Sequence, residues 1–157
     1  VLALAGILIA IGGCTESPSS PADWQALSRS GTQARFDVSG SSATAVIGAT
    51  GGSLVTSAGD RITFPAGALN QPTQITITSS GDVVGVQIQP HGLQFPAGRQ
   101  PVLTLSTAGS NAASFHDLNV SYVNDDGNIT EVLSASVGSA TLTASLPHFS
   151  GLLGTGH

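Results

Sequence analysis

The sequence predicts an all-β fold, an antiparallel β-sandwich, and three observations carry that prediction. From residue 44 onward short apolar–polar alternations recur. Gln74-Ile75-Thr76-Ile77-Thr78, for example, puts two isoleucines on one face and three polar side chains on the other, the period of a half-buried strand. Turn residues separate these runs, with 20 Gly and 8 Pro in the 157 residues. No helical periodicity intervenes between them, which favours an antiparallel sandwich over a parallel sheet with crossover helices. A hydrophobic content of 40% with mean hydropathy +0.26 suits a chain that buries a core rather than a disordered one. A single domain of this size buries roughly two-thirds of its unfolded surface, so the fold does not depend on disulfides.

The chain opens with an uncharged stretch, residues 1–13, that closes on Ile11-Gly12-Gly13 and is followed by the sole cysteine, Cys14. Thirteen apolar or small residues are too few for a bilayer-spanning helix, which takes ~20. Their order resembles a bacterial lipoprotein signal peptide: an apolar core, small residues at the cleavage position, then cysteine. The basic n-region is missing, and the stretch reads as truncated at its N-terminus. The resemblance implies that Cys14 becomes the first mature residue and that its thiolate takes a diacylglyceryl group. Two or three acyl chains, at ~0.8 kcal/mol per buried methylene, make a lasting anchor. The membrane partner would be met through acylated Cys14 on an extracytoplasmic face. Thr15 rather than Asp after the cysteine points to the outer membrane if the source has one.

Residues 14–42 read as the lipidated cysteine and a tether rich in Ser, Pro and Gly, a spacer that lifts a domain from a lipid surface. Asp23-Trp24-Gln25-Ala26-Leu27-Ser28-Arg29 could form a helical turn or two, but tether is the preferred reading. A short edge strand is expected around residues 34–38. Removal of residues 1–31 is therefore expected to leave the melting of the sandwich unchanged.

Residues 43–157 form the expected domain. Strands are predicted at 44–47, 52–56, 61–64, 74–78, 84–89, 101–106, 118–124, 129–133 and 140–146. Inward positions are Ile75 and Ile77, then Val84, Val86 and Ile88, then Leu118, Val120 and Tyr122, then Leu142, Ala144 and Leu146. Between two of these runs lies Asn124-Asp125-Asp126-Gly127-Asn128, where Asp126-Gly127 can supply the positive φ angles of a tight hairpin. Phe64-Pro65-Ala66-Gly67-Ala68-Leu69 ends a strand: Pro65 lacks a ladder donor, Gly67 permits an unusual φ, and Leu69 folds back to the core.

Taken together, Gly51-Gly52-Ser53-Leu54-Val55, residues 59–69 and Thr73-Gln74-Ile75-Thr76-Ile77 resemble the start of a ZU5 domain. His91-Gly92-Leu93-Gln94-Phe95 with Pro101-Val102-Leu103-Thr104-Leu105 resembles its middle, and Pro147-His148-Phe149-Ser150 its closing motif in bacterial ZU5-like domains. The resemblance spans about residues 44–153. It implies a β-sandwich acting in protein–protein contacts, hence a non-catalytic interaction or structural module binding an envelope protein or glycan through edge strands or loops.

Some eukaryotic ZU5-containing proteins cleave themselves at His-Phe-Ser, so the resemblance implies an alternative: self-processing between Phe149 and Ser150. Ser150 Oγ would attack the Phe149 carbonyl with His148 assisting proton transfer, and water would hydrolyse the resulting ester. The competing expectation is that Phe149 fills the sandwich end while His148 and Ser150 bond turn backbone. No other chemistry is legible. A net charge of −5 and pI near 4.9 argue against a nucleic-acid partner, which needs a basic face. His91, His116, His148 and His157 lack metal-ligand spacing, and residues 124–131 lack the full calcium-loop pattern. No metal or other cofactor is expected. One Trp and one Tyr offer a sugar-stacking platform only if Trp24 and Tyr122 are both exposed.

Overall fold

The computed structural model describes residues 24–29, 36 and 39–157. Residues 1–23, which include the leader and Cys14, lie outside the described residues, as does all of the strand expected at 34–38 except Phe36.

The chain forms a sandwich of two antiparallel sheets. Its strands are β1 Gln25–Ala26, β2 Ser42–Ile47, β3 Gly52–Val55, β4 Arg61–Phe64, β5 Thr73–Ser79, β6 Gly85–Gln89, β7 Val102–Ser106, β8 Leu118–Val123, β9 Ile129–Leu133, β10 Ser136–Val137, β11 Thr141–Ser145 and β12 Gly151–Gly156. The larger sheet runs β2-β5-β6-β12-β8-β9, with β1 also paired to β12, and the smaller runs β10-β11-β7-β4-β3. The alternating segments thus become strands with the expected inward faces. Ile75, Ile77, Val86, Ile88, Leu103, Leu105, Val120, Leu142 and Leu146 are fully buried, each burial contributing ~1.5–3 kcal/mol before entropy. Phe64, Phe95 and Phe149 close one end as a tilted aromatic trio with centroids 4.8–6.2 Å apart.

Two expectations are corrected. The tether boundary at residue 42 excludes a segment that belongs to the sandwich. β1 pairs with the end of β12, Gln25 against Gly156 and Ala26 against Thr155. Leu27 is fully buried in the main core, and Trp24 is buried with its ring stacked on His157. Leu27 also donates its N–H to Gly154 O and accepts from Val84 N–H, both at 2.8 Å. An apolar segment beside an unfilled strand position gains both ladder bonds and burial, and this outweighs the entropy of a free spacer. It is extended rather than helical.

The second correction is β12. Gly151-Leu152-Leu153-Gly154-Thr155-Gly156 has neither alternation nor strand propensity, yet it is a central strand of the larger sheet, flanked by β8 on one side and by β6 and β1 on the other. It is buried on both faces. Leu152 joins the main core, while Leu153 packs outward with Val83 and Val123, against which Phe36 lies. The glycines are required by close neighbours. A Cβ on Gly154 would sit 3.0–3.2 Å from Val84, Leu142 and Leu27, and one on Gly156 would sit 2.6 Å from Phe115.

At the 124–128 hairpin only Gly127 takes a positive φ, 80°. Asn124 Oδ1 instead accepts from Asp126 and Asn128 N–H, at 3.1 and 2.9 Å, an Asx turn in which the side chain organises the loop.

Candidate functional site

His148-Phe149-Ser150 leads from β11 into β12, and each residue is held by a different part of the sandwich. The His148 backbone bridges to Gln94, and its carbonyl accepts from the Tyr122 hydroxyl at 2.7 Å. The imidazole stacks on the Tyr122 ring, centroids 4.1 Å apart and planes 13° from parallel, with Nε2 4.0 Å from Glu131 Oε2. Phe149 is buried in the aromatic trio. Its N–H donates to Leu93 O at 2.9 Å and its carbonyl accepts from Gly92 N–H at 3.2 Å. Ser150 Oγ donates to Val123 O at 3.3 Å.

The hydroxyl that would attack is therefore directed at a backbone acceptor across the sheet, and the imidazole lies against Tyr122 and toward Glu131. No non-glycine residue among those described has a positive φ, so left-handed strain is not stored at Phe149 or Ser150. Burial pushes the Tyr122 phenol up to about 12; the His148 backbone N–H, 3.5 Å from the phenol oxygen, opposes the shift, and the Glu131 charge adds to it. Tyr122 is thus a neutral donor across the physiological range, clamping the chain where it enters β12.

Beside this motif, Phe36, Gln87, His91, Val123, Asn124 and Gly151 line a cleft of about 140 Å³. Small-molecule sites are usually ~300–1,000 Å³, so this cleft suits at most a few waters. His91 Nε2 lies 3.3 Å from Gln87 Nε2 at its rim. His157, far along the chain, pairs with Asp117 at 3.8 Å. Among the described residues no three His, Cys, Asp or Glu side chains converge. Trp24 and Tyr122 are 8% and 2% exposed, so neither offers a face for sugar stacking.

One polar cluster escaped the sequence reading. Asp60 is completely buried. Oδ1 accepts from Ser106 N–H at 2.8 Å and Oδ2 from Ser79 Oγ at 2.6 Å. Arg29 Nη2 lies 3.2 Å from both oxygens, and Thr56 Oγ1 is 2.8 Å from Ser79 Oγ. Ser79 belongs to the larger sheet and Ser106 to the smaller, so the carboxylate staples the two together. The available signal was isolation: between Asp37 and Arg61 it is the only charged residue.

No protein-family model matches the chain, and no curated protein matches it.

Proposed function

We propose that this chain is a lipid-anchored, extracytoplasmic envelope protein whose ZU5-like sandwich is a non-catalytic interaction or structural module. The observation that carries the reading is how its reactive-looking groups are used. The buried Asp60 carboxylate joins the two sheets, and the His148-Phe149-Ser150 side chains meet Tyr122, the aromatic trio and the Val123 carbonyl. Such groups hold a rigid body together, and recognition is left to its surface. Burial of Trp24 and Tyr122 favours a protein partner over a stacked sugar. Anchoring follows from the lipoprotein-like leader and Cys14, with the outer membrane as the address in a two-membrane envelope.

The test is labelled palmitate, supplied to cells expressing the full chain with a start methionine and basic residues ahead of Val1. Label should enter the wild-type protein and fail to enter Cys14→Ser, which should leave the membrane fraction. An unlabelled wild type overturns the anchor. The intact mass of the purified chain tests the non-catalytic assignment: one uncleaved species supports it, and fragments meeting between Phe149 and Ser150 replace it with self-processing.

A further inference from the structure

We propose that β2 is a self-association edge, on which two copies of this chain pair β2 antiparallel to β2 about a two-fold axis through Thr44 and so join their larger sheets. Among the described residues, Ser42–Ile47 pairs only with β5. Ser79 N–H donates to Ser41 O at 2.9 Å, which makes Ser41 and Ser79 a hydrogen-bonded pair. Strict alternation then turns the backbone groups of Ala43, Ala45 and Ile47 toward β5. Those of Ser42, Thr44 and Val46 face the open side. The close hydroxyl contacts Ser42–Thr78 at 2.8 Å and Thr44–Thr76 at 2.9 Å agree, because side chains approach most nearly in non-hydrogen-bonded pairs.

Exposed sheet edges are normally blunted by charge, brevity, proline or bulges. Among the described residues, the other edges show these devices. β9 carries the exposed Glu131 at its centre and a register break opposite Tyr122 and Val123. β1 and β10 have two residues each. β3 has four and is entered through Gly51, φ 76°, and Gly52, φ 157°. β2 has none of them: its six residues run in unbroken register without charge or proline. No charged residue occurs between Asp37 and Asp60, although the chain as a whole carries −5. Val46, on this strand, is 66% exposed.

A second copy fits this edge because Ser42-Ala43-Thr44-Ala45-Val46 is uncharged and has matching alanines on either side of Thr44, with Ser42 against Val46 as its one mismatch in polarity. An axis through Thr44 sets Ser42 against Val46 of the partner, Ala43 against Ala45, and Thr44 against itself. The outward-facing residues then meet only outward-facing residues, and each such pair exchanges two backbone hydrogen bonds. The edge is too short to reach the ~1,000 Å² of a stable interface. Pairing is therefore weak between free chains and is promoted where chains share a membrane surface and a high effective concentration. That promotion rests on the anchor proposed above; the pairing register does not.

Because Cys14 is the only cysteine, the full chain with Cys14→Ser and Thr44→Cys carries a single thiol on the proposed axis. Mild oxidation should link its copies at least tenfold faster than those of Cys14→Ser with Val137→Cys, whose thiol lies on the similarly exposed β10. Adding Val46→Lys should remove the excess while leaving the melting temperature unchanged. Equal rates at the two thiol positions, or undiminished linking with Val46→Lys, overturns the proposal. As a second readout in the Cys14→Ser chain, raising the protein concentration should slow amide exchange at Ser42, Thr44 and Val46. Exchange there that does not depend on concentration also overturns it, and neither result depends on lipid.

Discussion

Arg29 and Asp60, 31 positions apart, form an ion pair in which one guanidinium nitrogen lies 3.2 Å from both carboxylate oxygens while the carboxylate is wholly buried. Arg29 Nε also donates to Val83 O at 3.0 Å. The pair ties the N-terminal segment to the corner where the two sheets meet. Removing the cation leaves a buried charge uncompensated, which costs ~3–5 kcal/mol. Arg29→Ala should therefore lower the urea midpoint strongly, and Arg29→Ala with Asp60→Ala together should cost less than the sum of the single changes. A loss below ~0.5 kcal/mol for Arg29→Ala would place the contact with surface ion pairs instead.

Leu27 tests whether the N-terminal segment is structural. It is fully buried in the main core, and Leu27→Ala should destabilise by ~2–5 kcal/mol. Deleting residues 1–29 should lower the melting temperature by more than about 10 °C. An unchanged melt after that deletion would show that the segment only drapes over the sandwich.

Gly154 and Gly48 make a matched pair. A Cβ at Gly154 meets three core side chains at 3.0–3.2 Å, whereas one at Gly48 meets nothing within 4 Å. Gly154→Ala should cost ~1–3 kcal/mol from overpacking, and Gly48→Ala should be near neutral. Equal midpoints for the two variants in chemical denaturation would refute the close approach at β12.

Tyr122 sets a pH dependence. Its phenol ionises near the ordinary 10 in the unfolded chain and at about 12 in the folded one, so the unfolded chain loses its proton first. The stabilisation is complete below pH 10 and is lost as pH rises through 12. Its size is on the order of 2 kcal/mol. Tyr122→Phe should flatten this part of the stability–pH curve. It should also cost ~1–3 kcal/mol at neutral pH, because the His148 carbonyl loses its 2.7 Å donor. A wild-type curve parallel to that of Tyr122→Phe between pH 10 and 12 would sink the assignment.

The strands that alternate were legible, and so were their faces: Ile75 and Ile77, or Leu142 and Leu146, need only the pleat to decide which side they take. The turn at Gly67 was equally readable, since its φ of 76° is glycine chemistry. Strands β1 and β10 were not, because two residues are too short for a period to register. The structural uses of His148 and Ser150 were partly legible as turn contacts, but the Tyr122 clamp joins residues 26 positions apart and has no local signature.

By itself the sequence determined the sandwich class, most strand positions and the inward set, because those follow from a two-residue period and from turn chemistry. It also supplied the expectation of an anchored leader at Cys14. Tertiary structure alone decided that Gly151–Gly156 is a central strand, that residues 24–29 complete it, and that Asp60 staples the sheets. In each case the deciding energy comes from partners distant in the chain. A glycine-rich strand is chosen by how closely its neighbours must approach, and a lone carboxylate is tolerated inside only because Arg29, Ser79 and Ser106 arrive together to bond it.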